Sequence, residues 1–183
     1  MKKRSLLLAS LWLLAACAGN RREARLTSEP SIERALDIVA SAQEGRPLLR
    51  FLYKNPVRFE YANTPGTCHK FSLKTREIFL PLDYKGSDLV LALAIARAAY
   101  IYKTYALTGI DEVISEEEEL GAIFQARLAL EINVVNADFE KAGGAAEIKN
   151  DFCTYVLESS GYAMSQARRK ALSQDVDCQR PRE

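Results

Sequence analysis

Histidine and tryptophan each occur once in 183 residues, as His69 and Trp12. No C-x-x-C is present and no Cys/His pair has zinc-finger spacing, which argues against a structural zinc. Charge of neither sign dominates: 25 basic residues face 24 acidic ones, so the chain has no electrostatic footprint for nucleic acid. Long uncharged runs are missing as well. The longest central one, from Leu89, stops at Arg97, far short of the ~18–20 residues that a membrane-spanning helix needs. There is no internal repeat and no low-complexity tract. With 48% hydrophobic and 27% charged residues, the chain can bury one core and is short for two domains.

What is present begins with an address. Lys2, Lys3 and Arg4 form a positive head, and Leu6 to Leu14 a short apolar stretch, the pattern of a secretory signal too short to anchor permanently. It ends in Leu14-Ala15-Ala16-Cys17, which resembles the lipobox of bacterial lipoproteins, where the Cys becomes the acylated first residue. The resemblance implies a signal peptide over 1–16 and a lipidated Cys17 whose acyl chains hold the protein on the bilayer, each buried methylene contributing about 0.8 kcal/mol. Ala18, rather than Asp, resembles the sorting of an outer-membrane cargo, so the expected location is the outer membrane, facing the periplasm. Cleavage takes the basic residues from 25 to 22 against 24 acids, a formal charge of −2, and removes Trp12. An extracytoplasmic compartment permits disulfides. Of Cys68, Cys153 and Cys178, the pair Cys153–Cys178 is favoured because it would pin the carboxyl-terminal tail.

Residues 17–30 read as the lipidated Cys and a polar tether, 31–174 as a single globular domain, and 175–183 as a loose polar tail. Ser28-Glu29-Pro30 opens a helix whose stripe is Ile32, Leu36 and Val39, closed by Gly45. Leu48 to Tyr53 reads as a further helical turn. Val57 to Tyr61 alternates as a half-buried strand; Thr67 to Leu73 and Glu77 to Leu82 follow as a second and third. Turn chemistry at Asn63 to Gly66 and Lys74 to Arg76 predicts an antiparallel meander. Pro81 donates no ladder bond, so the third strand lies at an edge or ends there.

Ser87 to Gly109 is the organising stretch: an N-cap Ser, Asp88 in the first turn, a C′ glycine, and almost no polar face up to Arg97. After the connection Ile110 to Ile114, Ser115-x-x-Glu118 reads as a capping box opening a helix headed by Glu116 to Glu119. Its stripe is Leu120, Phe124 and Leu128, continuing through Ile132 and Val135 up to Gly143-Gly144. Ile148, Phe152 and Val156 mark another helix, and Met164, Ala167 and Ala171 a last one. The expected class is α+β: a small antiparallel three-stranded sheet packed on a mainly helical body.

This order, a meander ending in an edge strand, a buried helix and a Glu-headed helix, resembles the core of gluzincin-type zinc metallopeptidases over Val57 to Glu131. The resemblance implies an edge strand beside a peptide, H-E-x-x-H on the buried helix and a third ligand, Glu, on the next. Two His four apart grip one zinc and the Glu activates its water. Here the His positions are Ile95 and Ala99 and the Glu position is Ala96, none able to bind zinc; Glu119, or Glu118, matches the third ligand. The resemblance therefore implies a catalytically inactive domain without cofactor or metal. Its groove would run along Ile78, Phe79 and Leu80, near Tyr100, and hold a peptide or envelope partner. A structural envelope lipoprotein is the alternative, and a hydrolase using displaced Glu118, Glu119, His69 or Cys68 a third.

The other signals are weaker. His69 beside Cys68 reads as a surface histidine, since strand neighbours point to opposite faces. Tyr100, Tyr102 and Tyr105 read as core anchors or groove lining. Arg168-Arg169-Lys170 reads as a solvated face.

Overall fold

The computed structural model describes residues 25–64, 69–109, 115–143, 145–158 and 165–178. The lipobox with Cys17, Cys68 and the connection 110–114 lie outside the described residues.

Seven helices and three strands are assigned over the described chain. Helix α1 runs Pro30–Ser41 and α2 Gly45–Lys54; strands β1 (Arg58–Ala62), β2 (Lys70–Ser72) and β3 (Glu77–Pro81) follow, then a 3₁₀ turn, Leu82–Gly86. The remainder is helical: α3 Asp88–Thr108, α4 Ser115–Ile132, α5 Asn136–Lys141, α6 Ala146–Glu158 and α7 Gln166–Asp175. The class is α+β, mainly helical with a small sheet.

Helix α3 is the hub, packed on α1, α2, α4, α5, α6, β3 and the 3₁₀ turn. Its ends are set locally: the Ser87 hydroxyl accepts from Val90 N–H, and Gly109 takes φ +70° while its N–H donates to Tyr105 C=O. By length and composition α3 could cross a bilayer, yet most of it is buried inside the protein.

The sheet is mixed, not an antiparallel meander. Its order is β1-β3-β2, with β1 parallel to β3 (Phe59 opposite Ile78, Tyr61 opposite Leu80) and β2 antiparallel to β3 (Phe71 opposite Ile78). So β3 is the central strand rather than the edge. The physical reason is its content. Ile78, Leu80 and Pro81 are buried, and the central place bonds both edges of the most apolar strand, leaving Arg58, Glu60 and Lys70 on the outer two. Pairing ends at Pro81, which has no N–H to give. The outer edge of β1 is covered too, since Phe59 N–H donates to Leu26 C=O and the Thr27 hydroxyl donates to Phe59 C=O.

Packing therefore begins before residue 31, with Leu26 and Thr27 already buried. It also continues into the stretch read as a loose tail: Val176 is buried and Cys178 is joined to Cys153 by a disulfide. Gly45 opens α2 instead of closing α1, and α4 stops at Ile132, where Asn133 turns left-handed at φ 55°. Val135 accordingly leaves the stripe and is exposed.

Gly86 is a packing requirement. A Cβ there would lie 1.7 Å from the Lys141 carbonyl oxygen, a backbone atom that cannot swing away. Gly86→Ala should cost about 2–3 kcal/mol by forcing the 3₁₀ turn off α5, read as a lower urea midpoint at unchanged m-value.

Candidate functional site

Arg97 is the charged residue in the middle of α3 and is 7% exposed. An unpaired guanidinium could not be buried there, and the chain brings three carboxylates to it. Its Nε and Nη2 donate to Glu118 Oε2 at 3.3 and 3.1 Å, and Nη1 reaches Asp151 Oδ2 at 2.5 Å and Glu147 Oε1 at 3.1 Å. Glu118 comes from α4; Glu147 and Asp151, one turn apart, come from α6. His69, at the start of β2, brings Nε2 to 3.6 Å from the free oxygen of Glu118, an ion-pair distance. The His69 ring stands edge-on to Phe71, which meets Tyr105 edge-on in turn. A shallow cleft of about 330 Å³ opens over the cluster, lined also by Glu119, Ile123 and Tyr155.

The two carboxyls with shifted titration move in opposite directions. The His69 imidazole, outweighing burial and joined by Arg97, holds Glu118 below the usual glutamate range. Burial pushes Asp151 above the usual aspartate range despite Arg97 beside it.

Sequence-predicted residues fall on several faces of this arrangement. Ile95, Ala96 and Ala99 are fully buried in the core. Ile95 and Ala99 lie about 160° around the helix from Arg97, on the side away from α4, at 100° per residue. A third ligand from α4 cannot meet them: Glu118 is bound to Arg97, and Glu119 is exposed beside it. The i, i+4 side chains packed on α4 are Arg97 and Ile101, which both close on Gly121.

The expected groove is closed as well. Ile78 and Leu80 are buried, Phe79 is half-buried between β1 and β2, and Tyr100 stacks on Phe124 at 5.0 Å. Tyr102 and Tyr105 are core. His69 is not a surface residue but is buried, because just before β2 its imidazole turns to Glu118 of α4 rather than to solvent. Glu118 spends its carboxylate on Arg97 and His69.

Of the buried face of α4, sequence reasoning found Leu128 and missed Glu117, Gly121 and Gln125, while Leu120 of the predicted stripe is exposed. Gln125 donates to the Leu93 carbonyl, and Gly121 lets α4 close on α3, since a Cβ there would lie 2.8 Å from Ile101. The available signal was Arg97 itself: a lone charge amid apolar helix needs acidic partners, and the Glu run was the nearest supply.

Among the described residues no three His, Cys, Asp or Glu side chains are grouped so as to hold a metal ion. The guanidinium sits between the carboxylates that could have served. No family model, no curated protein and no solved structure matches the chain.

Removing the cation should expose its role. Arg97→Ala leaves three carboxylates facing one another and should cost about 3–5 kcal/mol, with Arg97→Lys recovering part of it in urea titrations. Glu118→Gln should cost about 1.5–3 kcal/mol at neutral pH. Because folding lowers the Glu118 pKa, its stabilisation is present above the ordinary glutamate range and lost as pH falls through the folded value. The gap between wild type and Glu118→Gln should therefore close on acidification.

Proposed function

We propose that this protein is a lipid-anchored envelope protein whose domain is a catalytically inactive, metallopeptidase-like core that works by binding. The observation that carries the reading is the Arg97 cluster. A buried helix and a Glu-headed helix meet there, through the Arg97 face of α3 and not through the Ile95 and Ala99 positions of the expected motif. Where α3 meets Glu118 it presents a guanidinium and no imidazole, and the expected His positions, Ile95 and Ala99, are apolar core. The residues do not fit a zinc ion: Arg97 fills the middle of the carboxylates with a permanent positive charge. A guanidinium cannot lose its proton at neutral pH and has no open coordination position, so it neither activates water nor accepts a proton.

The anchoring half of the reading rests on Leu14 to Cys17 and on Ala18, which together favour an acylated Cys17 in the outer membrane facing the periplasm. The closed flanks of β3 remove the peptide groove along that strand. Any partner site lies elsewhere on the domain, and this favours a binding role distinct from peptidase substrate capture.

The purified domain should carry no stoichiometric zinc by elemental analysis and should not hydrolyse casein; chelator-sensitive hydrolysis with one metal per chain would overturn the reading. Arg97→His should gain one Zn²⁺ per chain at micromolar affinity or tighter, through the new imidazole, Glu118 and His69. A folded Arg97→His that takes up no zinc would show that the guanidinium does not replace an ion. In cells, fatty-acid label should enter the wild type and be absent from Cys17→Ser.

A further inference from the structure

Helix α2 turns its leucines inward onto α1 and α3: Leu48, Leu49 and Leu52 are buried. Its outward face is basic. Arg46, Arg50 and Lys54 follow one another at i, i+4 and i+8 and are exposed, and Tyr53, 40% exposed, stands among them. At 100° per residue the four side chains fall within about 100° of arc. The helix itself contains no acidic residue.

These charges are not spent within the protein. Arg46 donates to the Ala40 and Ser41 carbonyls at the end of α1, which fixes its position and leaves its charge in place. None of the three cations has a carboxylate partner among the described residues. The acids that flank α2 in the chain are occupied, Glu44 by Arg127 and Glu60 by Arg58. A tyrosine ring among outward-facing cations suits a boundary that is charged at headgroup level and apolar just beneath it. The Arg168-Arg169-Lys170 triplet of α7 differs, because consecutive helical residues point about 100° apart and share no face.

Chain length brings a bilayer within reach of that face. The Leu26 carbonyl accepts from Phe59 N–H on the outer edge of β1, and β1 begins four residues after Lys54. Cys17 is eight residues from Arg25, at most about 27 Å of extended chain, and Lys54 lies no more than about 14 Å from Arg58. We infer that the Arg46, Arg50 and Lys54 face of α2, with Tyr53, rests on the anionic leaflet that holds the acylated Cys17. The inference rests on the anchored reading above and names the side of the domain that meets the lipid. Three cations on one face supply the attraction to anionic headgroups, and the anchor keeps that face close enough for a modest attraction to orient the domain.

Trp12, the one tryptophan, precedes Cys17, so Tyr53→Trp gives the processed chain a single indole on this face. The acylated protein, reconstituted into vesicles of phosphatidylcholine alone or with about 30% phosphatidylglycerol, tests the inference. With phosphatidylglycerol the indole emission should move to the blue and be quenched by brominated acyl chains, and about 0.5 M salt should reverse both. In phosphatidylcholine alone neither should occur. Arg50→Gln/Lys54→Gln, an exposed pair whose fold circular dichroism verifies, should lower the ratio of apposed to free domain about thirtyfold, or about fivefold per charge. Arg168→Gln/Lys170→Gln should leave that ratio unchanged. A chain that floats with both vesicles while its indole stays in water overturns the inference, keeps the anchor and leaves the face to an acidic protein. Equal loss from the two charge pairs overturns it as well. A chain that floats with neither vesicle overturns the anchored reading and this one with it.

Discussion

A single guanidinium sets the geometry of this domain. Helix α3 is apolar on nearly every face, and dispersion alone would hold such a rod in several rotations of similar energy. Arg97 removes that freedom. Buried at mid-helix, it must find carboxylates, and the three it finds fix which face of α3 meets α4 and which meets α6. Buried ion pairs contribute little net stability against a well-packed apolar alternative, because desolvation consumes most of the Coulomb energy. Their contribution here is register: a one-residue slip of α4 would carry Glu118 off Arg97 and leave the guanidinium to Glu147 and Asp151 of α6 alone.

That clamp reaches both ends of the fold. Through Glu118 it touches His69 and so the start of β2, tying the sheet's far edge to the helical body. Through Glu147 it reaches the first turn of α6, which also walls a cleft of about 540 Å³ at the carboxyl ends of β1 and β3. The cluster and the cleft thus share one residue. The charge left over is negative, three carboxylates against one guanidinium, and the opposite shifts of Glu118 and Asp151 follow from it: the first has imidazole and guanidinium beside it, the second is held with Arg97 but desolvated and near Glu147.

Much of the helical body was legible, because caps and apolar spacing are local. Ser87 and Gly109 delimit α3 by the hydrogen bonds their residue types favour, and Pro30 begins α1 as its lost N–H predicts. Sheet order was not legible. Alternation identifies strands but not neighbours, and short turns suggested a meander although the chain crosses from β1 over to β2 and returns in the middle. Proline at 81 signalled an end and was equally consistent with an edge. The inward face of α4 was hidden for the converse reason: Glu117 and Gln125 are polar residues at buried positions, so a hydrophobic stripe selects Leu120 instead. Buried polar pairs invert the usual code wherever their partners are on another element.

On the proposed reading, replacing an ion by an arginine changes what the fold depends on. A metal-bearing core is folded only as far as its ion is bound, so its stability follows metal concentration and the protonation of its ligands. A guanidinium is covalently attached and stays charged at every physiological pH. Such a core needs no metal supply in an outer compartment and keeps its geometry wherever the chain is anchored. What it gives up is an open coordination site and the activated water that goes with it. Chemistry then passes from the helix pair to the surfaces it positions.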